Sequence, residues 1–221
     1  LKADVETDFL IVELGAGGLG SIAYLAEMCE PDIGVVLKVG LAHVGEFGGL
    51  ETTFKIKSEL VKSLGEKSRL VLNLDDSMVA DMAHLTKIKP TWFGTTTDAD
   101  VYADHISTSI SGTKFNLTLA GESKGVVSLQ ILGEHQVMNS LASLTVAHIL
   151  NIDMKIAIAA LEELPLAERW RMQLMKGPNG SLVINDAYNA SPDSMRAALQ
   201  TLATLGRQGH RTIAVLGEMA E

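Results

Sequence analysis

The sequence predicts an α/β protein: a mostly parallel sheet with flanking helices, a small antiparallel sheet, and then the start of a second unit. Three observations predict it. Residues 8–90 alternate short continuous apolar runs with helix-like stretches, residues 101–132 switch to period-two alternation rich in Ser, Thr and Gly, and a fresh strand–helix–strand pattern begins after Leu164-Pro165. Continuous apolar strands are those covered on both faces, as in parallel sheets, whereas alternation marks strands with one wet face.

Taken in order, "DFLIVEL" reads as a strand, "GSIAYLAEMCE" as a helix, "DIGVVLKV" as a strand and "LETTFKIKSELVKSL" as a helix. The run "RLVLNL" is the next strand and "SMVADMAHL" the next helix. Hairpins are expected in "HISTSISGTKFNLTLAGESKGVVSLQIL", followed by two helices, "HQVMNSLASLTVAHIL" and "MKIAIAALEEL". A further hairpin, "RWRMQLMK" and "SLVINDA", turns at Gly177-Pro178-Asn179-Gly180, and a helix over 192–205 and the strand "RTIAVLG" close the chain. The expected units are residues 1–164 and 165–221. Ser191 reads as an N-cap, Pro192 as the first helical residue and Asp193 as an acid favourable to the helix dipole, so these three are assigned to structure.

Composition narrows the function. A net charge of −9 over 221 residues speaks against a nucleic-acid or anionic-membrane partner, which needs a basic patch. It leaves room for a nucleotide, whose phosphates backbone N–H groups and a metal ion can hold. No apolar run approaches the roughly 20 residues of a membrane helix, no basic leader with an apolar stretch is present, and the single cysteine, Cys29, fits a reducing compartment. A cytoplasmic protein is expected. The chain starts "LKADVETDF" and stops at "IAVLGEMAE", just past a strand pattern, so both ends read as cuts.

Residues 15–20, Gly-Ala-Gly-Gly-Leu-Gly, match the dinucleotide fingerprint G-x-G-x-x-G between a strand and a helix. That fingerprint also wants an acid at the end of the next strand to hold a ribose. Here the strand ends Leu37-Lys38-Val39, and Asp32 stands at its beginning. The match is half complete.

Three other residues draw attention. Glu13 lies near the end of the first apolar run and His43 follows the second strand, both on the side where ligands of open α/β sheets bind. At 100° per residue Lys57 falls in the middle of the arc formed by Leu50, Phe54, Leu60, Val61 and Leu64, while Lys55, Glu59 and Lys62 fall opposite. Each has an ordinary reading: an acid reaching solvent, a turn histidine, a snorkelling lysine. Together they have another. A buried amine deprotonates readily and can capture carbon dioxide as a carbamate, and a carboxylate, an imidazole and a carbamate oxygen at one edge suit a divalent ion serving phosphate chemistry.

The run "VELGAGGLGSIAYLAEMCEPDIGVVLKVGLAHVGEFGG" resembles the central domain of the Mur ligases, ATP-dependent amide-forming enzymes of peptidoglycan assembly. The blocks "IKSEL", "LNLDD", "GEHQVMNSLAS", "RWRMQ" and "VINDAYNASPDSMRAAL" resemble later parts of the same family in the same order. "DAYNASPDSM" with "VLGEMAE" is similar to the branch that joins D-alanyl-D-alanine to the UDP-muramoyl tripeptide. The resemblance implies a central ATP-binding domain followed by a truncated Rossmann-like C-terminal domain. It implies Glu13, His43 and carbamylated Lys57 at magnesium, His135 and Asn139 flanking adenine, and Arg169 near the nucleotide. Asp186 would accept from ribose hydroxyls, with Tyr188 and Asn189 lining the junction between domains.

Departures from the family are Lys38 in place of a usual Asn, Gly17 in place of a longer side chain, and Ser191 in place of an Asn. No G-x-x-x-x-G-K-[ST] occurs in the chain, so the resemblance places the phosphate loop upstream of Leu1 and most of the C-terminal domain beyond Glu221. It also implies a monomer when full length. A sibling Mur ligase, a folylpolyglutamate synthase and a nucleotide-binding module without catalysis are the competing readings.

Overall fold

The computed structural model describes residues 4–40, 48–165 and 168–219. Helix α1 (Ser21–Cys29) leads into β1 (Ile33–Val36), α2 (Leu50–Ser63) and β2 (Arg69–Asn73). Helix α3 (Ser77–Asp81), continued by a 3-10 turn over Met82–Leu85, precedes β3 (Thr91–Gly94). Strands β4 (Val101–Ser109), β5 (Gly112–Leu119) and β6 (Glu122–Leu129) follow, then α4 (Glu134–Ile149) and α5 (Met154–Glu162). A hairpin of β7 (Gln173–Lys176) and β8 (Leu182–Asn185) and the helix α6 (Pro192–Arg207) complete the order.

Strands β1 to β6 form one sheet in sequence order, the first four parallel and the last three antiparallel, while β7 and β8 pair separately. The hairpins expected as a small antiparallel sheet therefore extend the parallel one. Burial follows the two textures read from the sequence. In β2, Leu70 to Asn73 are all buried, because Val71 packs under α4 and Leu70 and Leu72 pack toward α2 and α3. In β5, Phe115, Leu117 and Leu119 are buried while Lys114 is exposed and Asn116 and Thr118 are half-buried, so that sheet half has one dry face. The larger core sits between the sheet and α4, with Phe93, Phe115, Leu117, Leu141 and Leu144 at its centre. The smaller core lies on the opposite face around Val61, Leu72 and Met82. The result is a helix–sheet–helix sandwich.

Two expected strands do not form. Residues 8–14 and 211–217 make no ladder, and their apolar side chains stand in solvent: Ile11 is 93% exposed and Val215 92%. Their patterns are strand-like, but a strand also needs a neighbour to satisfy its backbone groups, and no described segment pairs with either. The final helix is as expected, with Ser191 and Ser194 closing a reciprocal cap and Pro192 at its first position. Helix α6 rests on β4 and α4, which brings the last segment against the six-stranded sheet.

Candidate nucleotide and metal site

The carboxyl ends of β1, β2 and β3 are laced together by polar side chains. Asn73 Nδ2 donates to the Leu37 carbonyl at 2.8 Å, Lys57 Nζ donates to the Lys38 carbonyl at 2.5 Å, and the Val39 N–H donates to Asp76 Oδ2 at 3.0 Å. Asp76 also caps α3 through Val79 N–H. Asp75 accepts from the N–H and the hydroxyl of Thr95 beyond β3. These carboxylates and Asn73 were not singled out from the sequence as site residues, although "LNLDD" was read as a family block. Their spacing after a buried strand was the available signal.

Lys57 emerges where the helical arc places it, half-buried on α2 beside this edge. Burial holds its amine below the ordinary lysine range; the Lys38 ammonium pushes the same way and the Asp76 carboxylate opposes. A depressed amine is the prerequisite for carbamylation, so the chemistry of this side chain fits the expected role. Glu13 lies on the unladdered segment, exposed and without a hydrogen-bond or ion-pair partner among the described residues. His43 lies outside the described residues. Among those described, no three His, Cys, Asp or Glu side chains are gathered as a cation site. Lys57 thus stands at the polar carboxyl edge, and no hydrogen bond or ion pair among the described residues joins Glu13 to it.

The glycine-rich segment is settled by a residue expected on the solvent side of α2. Glu59 accepts from Gly20 N–H at 2.7 Å and from Ala23 N–H at 3.1 Å, so its carboxylate fills the N-terminus of α1. In a dinucleotide fold that position receives the pyrophosphate. Here an internal anion already holds it, and the dinucleotide reading loses its binding site.

At the N-terminus of α4, His135 is packed so closely over Gly133 that a Cβ there would lie 2.5 Å from its ring. Gly133 also sits at φ 104°, a conformation open to glycine. His135 Nδ1 is buried with no hydrogen-bond partner among the described residues, and burial holds the imidazole below its ordinary pKa against the opposing pull of Asp186. It lines a cavity of about 120 Å³ together with Thr108, Glu134, Gln200, Thr201 and Thr204. That is smaller than the roughly 300–1,000 Å³ of ordinary ligand pockets. Asn139, one turn on, is exposed and donates to Gln136 Oε1.

The remaining residues cluster at the hairpin. Asp186 Oδ1 accepts from Met172 N–H at 3.0 Å, and Tyr188 N–H donates to the Trp170 carbonyl at 3.1 Å, so the two segments stay joined beyond the β7–β8 ladder. The Arg171 guanidinium lies 4.3 Å from the Tyr188 ring centroid, and that of Arg169 lies 5.6 Å from the Trp170 ring. Tyr188 and Asn189 are exposed on the loop before α6. Arg171, not named among the expected site residues, lies just past the turn at Arg169 and Trp170, with Trp170 at φ 63°.

Strand–helix alternation along a mostly parallel sheet, with a polar carboxyl edge that bears Lys57, defines an α/β protein with helices on both faces of its sheet. Comparison with known proteins names the class. Residues 1–147 match the Mur ligase middle domain and residues 170–221 match the Mur ligase, glutamate ligase domain, so the chain belongs to the Mur ligase family. The UDP-N-acetylmuramoyl-tripeptide–D-alanyl-D-alanine ligase of Mycobacterium tuberculosis is 43% identical over 100% of this chain. The chain covers 44% of that relative, and so spans less than half its length. Among solved structures, MurF from Acinetobacter baumannii superposes with a TM-score of 0.79 at 29% identity, over 86% of this chain and 41% of that one. The MurF ligase from Thermotoga maritima in complex with ADP gives 0.78 at 26% identity, over 86% and 43%.

Proposed function

We propose that this chain is the nucleotide- and metal-handling part of a MurF-type ligase, which joins D-alanyl-D-alanine to UDP-N-acetylmuramoyl-tripeptide at the expense of ATP. The observation that carries the reading is the match along the whole chain to ligases of that name, combined with Lys57 held as a depressed amine at the carboxyl edge. Residues 1–164 are the central domain and residues 165–221 the beginning of the C-terminal domain. The tripeptide carboxylate attacks the γ-phosphate of ATP, and the amine of D-alanyl-D-alanine then opens the acyl phosphate with release of phosphate. Positioning and charge stabilisation supply most of the acceleration of such a step.

Glu13, His43 and carbamylated Lys57 would hold magnesium, whose contribution is to offset charge on the phosphoryl oxygens. His135 and Asn139 serve the base and Asp186 the ribose, while Arg169, now joined by Arg171, lies near the nucleotide as a planar cation suited to a phosphate or a stacked base. Tyr188 and Asn189 line the junction between the two domains. The protein works as a cytoplasmic monomer; no helix among the described residues is long and apolar enough to cross a membrane. The test is an assay of the full-length gene product. Phosphate release from ATP should require both the UDP-muramoyl tripeptide and D-alanyl-D-alanine. Release that instead requires a single amino acid or a glutamate would assign the protein to another branch.

A further inference from the structure

Trp170 has no role in the reading above, yet the chain holds it in an unusual way. Its backbone lies at φ 63°, in the left-handed region that a bulky aromatic residue adopts only when its surroundings enforce it, and Met172 lies at φ 49°. Three bonds enforce this hook: Trp170 N–H donates to Gln173 Oε1 at 3.3 Å, Tyr188 N–H donates to the Trp170 carbonyl, and Met172 N–H donates to Asp186. The hook buries Met172, which is 6% exposed, and leaves the indole 48% exposed. An indole has a large apolar surface that folding normally removes from water. Here it is fixed through its backbone, with the Arg169 guanidinium 5.6 Å from its ring centroid and about half of the residue still in water, two residues from the N–H that binds Asp186.

We propose that Trp170 is the stacking platform for the purine base of the bound nucleotide. This rests on the nucleotide reading above and adds a residue to it. A flat, partly exposed ring in the same backbone hook that holds the group that would take the ribose is suited to a base one sugar away. Stacking needs no donor pattern, so Trp170 contributes affinity for purines in general, and the choice of adenine falls to His135 and Asn139.

The chain has two tryptophans, so Trp92→Phe leaves Trp170 as the lone fluorophore. Titrated to millimolar concentration, ATP, ADP and adenosine should each quench that indole saturably, and inorganic tripolyphosphate should not. Trp170→Ala should weaken ATP binding, followed by calorimetry, by roughly 5- to 100-fold, as loss of a base-stacking ring does. Trp170→Phe should restore most of the affinity, and circular dichroism should show all variants folded. ATP binding of unchanged affinity in Trp170→Ala, or quenching by tripolyphosphate equal to that by ATP, would overturn the assignment while leaving the nucleotide site in place. No heat and no quenching with ATP in the unsubstituted chain would overturn the nucleotide reading, and the stacking role with it.

Discussion

The side-chain nitrogen of Lys57 lies 2.5 Å from the carbonyl oxygen of Lys38, tying the exit of β1 to α2. Burial favours the neutral form of Lys57, the Asp76 carboxylate opposes it, and the Lys38 ammonium adds a smaller push in the same direction as burial. A single residue thus anchors one amine through its backbone and discourages its charge through its side chain.

Carbamylation of Lys57 follows as an expectation. In the full-length protein, Lys57→Ala should lower kcat by on the order of 10²-fold or more, as loss of charge stabilisation usually does. A short carboxylic acid filling the gap should restore part of it. Carbon-13 NMR with labelled bicarbonate should show a carbamate carbon that Lys57→Ala removes. Full activity in bicarbonate-free buffer, with an ordinary amine at Lys57, would refute the carbamate.

Lys38 also reaches across to the last helix, its Nζ lying 3.4 Å from Asp193 Oδ2. Gly40 makes room for that carboxylate, since a Cβ there would sit 2.8 Å from the same oxygen. The pair is partly solvated, so Lys38→Ala should cost at most about 1 kcal/mol, and less at high salt. Reversal of both charges, Lys38→Asp with Asp193→Lys, should recover what either reversal alone loses. Urea denaturation of the four proteins gives the coupling; strict additivity would mean that the contact carries nothing.

His135 gives the chain a pH dependence. Its folded pKa lies below the ordinary histidine value, so between the two values the unfolded chain binds more protons than the folded one. Stability should therefore fall as pH drops through about 6.5 toward the depressed folded value, and level off below it. Asp186 moderates the effect, and Glu134 lines the same cavity as the imidazole. His135→Phe should flatten this part of the stability–pH curve. A slope that survives the substitution would place its origin elsewhere.

What the sequence made legible was periodicity. The buried run in β2 and the alternation in β5 were readable because side-chain burial repeats with the backbone, and the arc containing Lys57 was readable for the same reason. Partners were not. Residues 8–14 read as a strand because their pattern is strand-like, and pattern says nothing about whether a neighbour is there to pair. Strand β3, only four residues long after "KIKP", gave too short a run to stand out. Glu59 was placed among surface charges because a helical wheel cannot see that α1 ends against that face. Lys38 and Asp193 meet from distant parts of the chain, and nothing local foretells it.

The last prediction concerns how these 221 residues hold a nucleotide. No G-x-x-x-x-G-K-[ST] occurs among them, and it is such a loop that supplies the N–H groups and lysine for the β- and γ-phosphates. The N-terminus of α1, the other place where a phosphate would find free N–H groups, is filled by Glu59. What remains faces the nucleoside: His135 with its unpaired Nδ1, Asn139, Asp186 and the hairpin arginines. Adenosine, ADP and ATP should accordingly bind this chain weakly and within a few-fold of one another, and phosphate release should not exceed background. Calorimetry with the three ligands, with and without magnesium, separates the cases. If ATP bound 100-fold more tightly than adenosine, a phosphate site of a different kind would have to exist among these residues, and the assignment of Glu59 as the internal anion at α1 would be the first statement to abandon.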